Sequence, residues 1–177
     1  MIDVTLADIA TVSATAIMHP VSAEWDPVTQ AMRRLEIAAG EAVAAQSEKV
    51  GELPIGSAVI TAAGDLNADF LIHVIVRSVT EPVSEWVVQR GLQNGLRRCV
   101  EWGIDRVAVP AIGTGAGNLD AEEVASLMIP IIFDHMNDAQ YPTEVLLVAD
   151  SEYERDAFQQ MLRYHDLPYL SEDRPSS

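Results

Sequence analysis

Residues 106–117, Arg106-Val-Ala-Val-Pro-Ala-Ile-Gly-Thr-Gly-Ala-Gly117, limit the fold of this chain more than any other stretch. An apolar, β-branched run breaks at Pro110 into a loop carrying Gly113, Gly115 and Gly117, and a strongly helical segment follows. A strand that passes through a turn into a helix is the building unit of a parallel sheet covered by helices. The same junction cradles phosphate with backbone N–H groups, because glycine accepts positive φ and admits a ligand close to the main chain. On the glycine pattern alone, a tight turn without a ligand remains the alternative.

The pattern around it alternates strand and helix. Strands are predicted at 2–6, 14–18, 57–61, 70–76, 106–112 and 143–149. Helices are predicted at 28–49, at 82–102 with Pro82 at the start and Gly103 just past the end, at 120–136, and from the Ser151-x-x-Glu154 cap to about residue 164. Gly91 and Gly95 lie inside the second helix and cost about 1 kcal/mol each relative to alanine, which predicts close packing on a sheet. Asp120 and Glu123 have capping-box spacing, and Pro130 is expected to kink the helix they begin. Six strands and four helices predict an α/β layered fold, with ligands at the carboxyl ends of the strands. The loop at 112–117 sits at such an end.

The 177 residues fit one domain, taken as 1–170 with a disordered tail at 171–177. A net charge of −16 argues against polymeric nucleic acid and anionic membranes, which reward basic patches. A small anionic ligand held by backbone N–H groups is still allowed. Cys99 is the single cysteine, so an intrachain disulfide and a Cys-x-x-Cys metal knuckle are both excluded. No metal site and no cofactor are expected. Together with an N-terminus lacking a basic and apolar leader pattern, this predicts a cytoplasmic protein.

Several motifs, in order, carry a family resemblance. Leu53-Pro-Ile-Gly-Ser-Ala-Val-Ile-Thr61, continuing through Leu66-Asn-Ala-Asp-Phe-Leu-Ile-His73, resembles the central signature of macro domains, a Gly-x-Ala-x-x-Thr strand leading to a strand that ends in Ile-His. Val109-Pro-Ala-Ile-Gly-Thr-Gly-Ala-Gly117 is similar to the family's second ligand loop, and Leu6-Ala-Asp-Ile9 to its opening Gly-Asp-Ile. The resemblance covers about residues 2–165. It implies a three-layer α/β/α sandwich with a mixed, largely parallel six-stranded sheet, binding ADP-ribose or a related adenine nucleotide. An ADP-ribosylated protein is the second partner it implies. Carried over residue by residue, Asp8 would accept from the adenine amino group, since a carboxylate is acceptor-only. Ile9 would lie near the base. Ile112, Gly113, Thr114, Gly115, Ala116 and Gly117 would hold the diphosphate, and Asn118 and Leu119 would stand beside the distal ribose. Without the resemblance, Asp8 reads as a loop or cap aspartate.

The first ligand loop departs from the family pattern. His19-Pro-Val-Ser22 stands for the usual Asn-Ala-Ala-Asn, Pro27-Val-Thr-Gln30 for the polyglycine run, and Met32 for the Asp of hydrolase members. Pro27 has no N–H, Val28 and Thr29 resist positive φ, and Met32 cannot act as a base. Ser22 offers one hydroxyl where the family has an amide. Hydrolysis by the family's usual route is therefore not expected. An enzyme, either an ADP-ribosyl hydrolase or an O-acetyl-ADP-ribose deacetylase, would need substitutes from this loop: His19, Glu24 or Asp26, with Trp25 as a stacking ring. Each of these also reads as an ordinary loop residue. His73 reads as a core histidine, and Cys99 as packing. A third reading is a macro fold that has lost its pocket and acts as a protein-interaction scaffold.

Overall fold

A computed structural model describes residues 1–115 and 119–166. Ala116, Gly117 and Asn118, and the tail at 171–177 expected to be disordered, lie outside the described residues. The strands are β1 (Ile2–Leu6), β2 (Ala16–Ser22), β3 (Ala58–Ala62), β4 (Phe70–Arg77), β5 (Arg106–Pro110) and β6 (Glu144–Ala149). The helices are α1 (Gln30–Ala39), α2 (Glu41–Val50), α3 (Glu85–Trp102), α4 (Ala121–Asp138) and α5 (Glu152–Asp166), with a 3-10 turn at Ile9–Thr11.

The strands form one sheet in the order β1-β6-β5-β2-β4-β3. Every neighbouring pair is parallel except β3 with β4. This is the mixed, largely parallel six-stranded α/β/α sandwich the sequence predicted. Side chains alternate across the sheet. Met18, Ile72, Val74 and Val107 enter a large core under α3, α4 and α5. Ile17, Leu71 and Ala108 enter a smaller one under α1 and the 3-10 turn.

Two sequence expectations about elements need correction. The predicted helix at 28–49 is two helices, because Gly40 breaks it with φ 91° and ψ 176°. The predicted strand at 14–18 runs from Ala16 to Ser22, which draws His19 out of the expected loop and into the sheet. Smaller departures occur at helix ends. Ser84 caps α3, leaving Pro82 before the cap, and α4 continues through Pro130.

Other local expectations hold. Asp120 and Glu123 form a reciprocal capping box, and Gly103 ends α3 in the left-handed conformation. Gly91 and Gly95 press α3 onto the sheet: a Cβ at Gly91 would lie 2.6 Å from Val74, and one at Gly95 2.8 Å from Met18. Cys99 is buried on the inner face of α3, and burial pushes its thiol up to about 12. It is a packing residue.

Candidate functional site

A cleft of about 230 Å³ opens at the carboxyl ends of β1, β5 and β6, where ligands of open parallel sheets bind. Ala7 and Ile9 line one side, and Thr29 to Met32 at the start of α1 another. Pro110, Ala111, Thr114 and Gly115 follow from β5, and Val148, Asp150 and Glu154 close it. Gly113 has φ 108° and Gly115 φ 83°, so both occupy backbone that L side chains rarely adopt.

The predicted ligand residues divide among several settings. Ile9 and Thr114 are buried at the cleft. Thr114 Oγ1 donates to Glu154 Oε1 at 2.8 Å, and the other Glu154 oxygen accepts from the Asp150 N–H, also at 2.8 Å. Ile112 points into the core and its N–H donates to Met128 Sδ at 3.5 Å, so the expected Ile112 contribution to the ligand loop is not a free donor. Leu119 packs beside Gly113, 3.1 Å from where a Cβ would stand.

Asp8 caps the 3-10 turn, Oδ1 accepting from the Ala10 N–H at 3.0 Å. Its Oδ2 accepts from Arg34 Nε at 3.0 Å, and Arg34 Nη2 reaches Asp150 Oδ1 at 2.6 Å. Arg34 thus offsets part of the charge of Asp150, which lines the cleft with Glu154, and of Asp8, which stands beside the lining residues Ala7 and Ile9 without being one of them. Nothing in the sequence linked these residues, because they come from three separate elements.

Ser22, Glu24 and Asp26 do not line the cleft. They line a second hollow of about 400 Å³ with Arg77, Thr80 and Val83. Gly113 stands beside that hollow, since a Cβ there would lie 3.4 Å from Val83. The altered loop makes a tight turn. The Ser22 N–H donates to the Asp26 carbonyl, the Trp25 N–H to the Ser22 carbonyl, and the Asp26 N–H to Ser22 Oγ.

His19 does not lie near the glycine loop. The sheet register sets it directly beside His73 on β4, on the same face. Their Nδ1 atoms are 2.9 Å apart, and His73 Nε2 is 2.7 Å from Thr61 Oγ1 on β3. The signature threonine and histidine therefore meet, and the core reading of His73 holds. Burial first, then the neighbouring His19, hold His73 well below the usual histidine range.

Stability should depend on pH as a result. The unfolded chain protonates His73 near pH 6.5, whereas the folded chain resists the proton. Its contribution is complete above that pH and is lost as pH falls toward the depressed folded value. Urea denaturation is expected to show a loss of about 0.7 kcal/mol per pH unit at pH 6.5, approaching about 1.4 kcal/mol per unit below about pH 5.5 while His73 stays neutral in the folded chain. His73→Gln should flatten that slope, and an unchanged slope in the variant would refute the assignment.

Among the described residues, no group of three or more His, Cys, Asp and Glu is placed to hold a metal ion. No helix among them is long and apolar enough to cross a membrane.

Comparison with known proteins agrees with this fold. The macro domain family model matches residues 14–128. An uncharacterised protein of Aeropyrum pernix is 30% identical over 84% of this chain and 78% of its own length. An O-acetyl-ADP-ribose deacetylase of Enterobacter cloacae is 28% identical over 69% of each chain. An uncharacterised Mycobacterium tuberculosis relative is longer, and this chain spans 37% of it at 25% identity. The solved structure of the Oceanobacillus iheyensis macrodomain with ADP superposes with a TM-score of 0.79 at 20% identity, covering 92% of this chain and 90% of that one. The family model over most of the chain and the sequence relative at 30% identity show that this chain belongs to the macro domain family.

Proposed function

We propose that this protein binds ADP-ribose or a related adenine nucleotide in the cleft between Ile9, the start of α1 and the Gly113–Gly115 turn. The observation that carries the reading is the pair of left-handed glycines ending β5, which leaves main-chain N–H groups open to a close-approaching phosphate. The ADP-bound Oceanobacillus iheyensis macrodomain, similar in fold, supports it. Asp8 receives the adenine amine. One hydrogen bond to each of its oxygens is already made, and a carboxylate has further acceptor sites on both. The diphosphate lies along Gly113–Gly115, and the distal ribose passes Gly113 toward the hollow lined by Ser22.

The reading favours binding over hydrolysis. Met32, at the position of the hydrolase Asp, is a buried thioether at the cleft, and His19 is outside it. An enzymatic reading narrows to Glu24 and Asp26, the acids lining the Ser22 hollow. The similarity to an O-acetyl-ADP-ribose deacetylase is what keeps it open.

Calorimetry with ADP-ribose tests the proposal. Saturable heat is expected, weakened about tenfold in Asp8→Ala, a loss of about 1.4 kcal/mol. Absence of heat at millimolar ligand would sink both the binding and the enzymatic readings. Binding without turnover of ADP-ribosylated protein would remove the enzyme alone.

A further inference from the structure

The largest recess near the altered loop is not the nucleotide cleft. A separate cavity of about 460 Å³ lies between α1, α2 and the sheet. Its floor is the His19–His73 pair with Leu71, and Val43, Ala44 and Ala23 add apolar wall. Glu36, Glu48, Glu52 and Glu24 stand around it, and no lysine or arginine lines it among the described residues.

The floor is a hydrogen-bonded chain that starts at β3. Thr61 Oγ1 stands 3.0 Å from the Ala62 carbonyl and 2.7 Å from His73 Nε2, and His73 Nδ1 stands 2.9 Å from His19 Nδ1. His19 Nε2 is the far end of that chain. His19 is 3% exposed, and its Nε2 has no hydrogen-bond partner among the described residues. Glu36 Oε1 is 3.1 Å from it without hydrogen-bond alignment. A carboxylate and a buried, unpartnered ring nitrogen therefore stand together at the cavity wall, and the carboxylate is a site for a positively charged donor.

The altered loop supplies the lid of this cavity. Trp25 adopts φ 69°, left-handed backbone that a bulky residue enters at a cost. Its indole Nε1–H donates to the Gly51 carbonyl at 2.8 Å, fixing the ring 5.1 Å from that of His73. The strain turns an aromatic ring over the buried histidines, where a tight polar turn alone has no need of one. Aromatic surface beside carboxylates suits a cation.

We propose that this cavity is a second ligand site, which takes a small organic cation: an ammonium or guanidinium group on an apolar body. The cationic head pairs with Glu36 beside the His19 ring, and the body packs against Trp25, Leu71 and Val43. Residues that replaced the first nucleotide loop thereby build a different recognition site on the helix-covered face of the sheet.

Phenethylamine and its neutral near-isostere 2-phenylethanol test this by NMR titration and calorimetry at neutral pH. Phenethylamine is expected to bind saturably, at least about tenfold tighter than the alcohol, and to shift the Trp25 indole resonance. Glu36→Gln should lower its affinity by about tenfold or more. Ala44→Phe, a change at an exposed position on the rim, should abolish binding with the fold intact. Both variants should bind ADP-ribose as the wild type does, so failure here is distinguishable from failure of the nucleotide reading. Equal affinity for the alcohol, undiminished affinity in Glu36→Gln, or no binding up to about 10 mM amine would overturn the proposal.

Discussion

Gly115→Val is expected to weaken ADP-ribose binding by at least about a hundredfold, or about 2.7 kcal/mol, with little loss of global stability. Two effects act together. Gly115 has φ 83°, where a β-branched side chain is a genuine outlier. A Cβ built on it would also lie 2.9 Å from Thr29 Cγ2. Thr29 cannot easily retreat, because its Oγ1 accepts from the Met32 N–H at 3.2 Å and caps α1. The turn must give way instead, and the N–H groups proposed to hold the diphosphate move with it. Gly115 is exposed and outside the core, which confines the damage to the loop. Calorimetry with ADP-ribose beside a thermal melt separates the two effects. Affinity within about threefold of wild type would refute the placement of the phosphates.

The second large effect concerns folding. Gly64→Ala is expected to cost about 3 kcal/mol or more of stability, although Gly64 lies exposed between β3 and β4. Its φ is 60°, and a Cβ there would stand 2.1 Å from the Ala39 carbonyl oxygen and 3.0 Å from Val43 Cγ2. That carbonyl ends α1 and accepts from the Asp65 N–H at 3.0 Å. The clash is therefore with backbone, which cannot rotate away as a side chain does. Relief requires lifting the α1–α2 junction off the β3–β4 turn. Urea denaturation followed by circular dichroism measures the cost. A loss below about 1 kcal/mol would show that this junction yields more readily than its contacts imply.

Much of the candidate cleft is legible in the amino-acid sequence. The β5 run, the glycines after it and the Asp120 capping box are local signals, each complete within a few residues. They correctly put a left-handed glycine turn at the carboxyl end of a strand. The role proposed for Asp8 is read only through resemblance. Its partner Arg34, which also holds Asp150, comes from a helix far along the chain and leaves no mark in spacing or composition. Gly40 misleads because one glycine inside an apolar-periodic stretch reads equally well as a tolerated interior residue. The docking of Asp65 and Gly64 against Ala39 gives the break its place.

His19 shows the boundary most clearly. Sequence alone placed the six strands and most of the helices and made the sheet mostly parallel, and through the family resemblance it marked Pro27–Gln30 as a departure from the family's polyglycine run. It left His19 in a loop and His73 alone in the core. Only the tertiary structure set them 2.9 Å apart, because β2 and β4 are neighbours in register although 54 residues separate the two histidines. Local preferences choose the elements from a few adjacent residues. Which side chains then meet depends on sheet order and strand register, which the burial of every strand settles collectively.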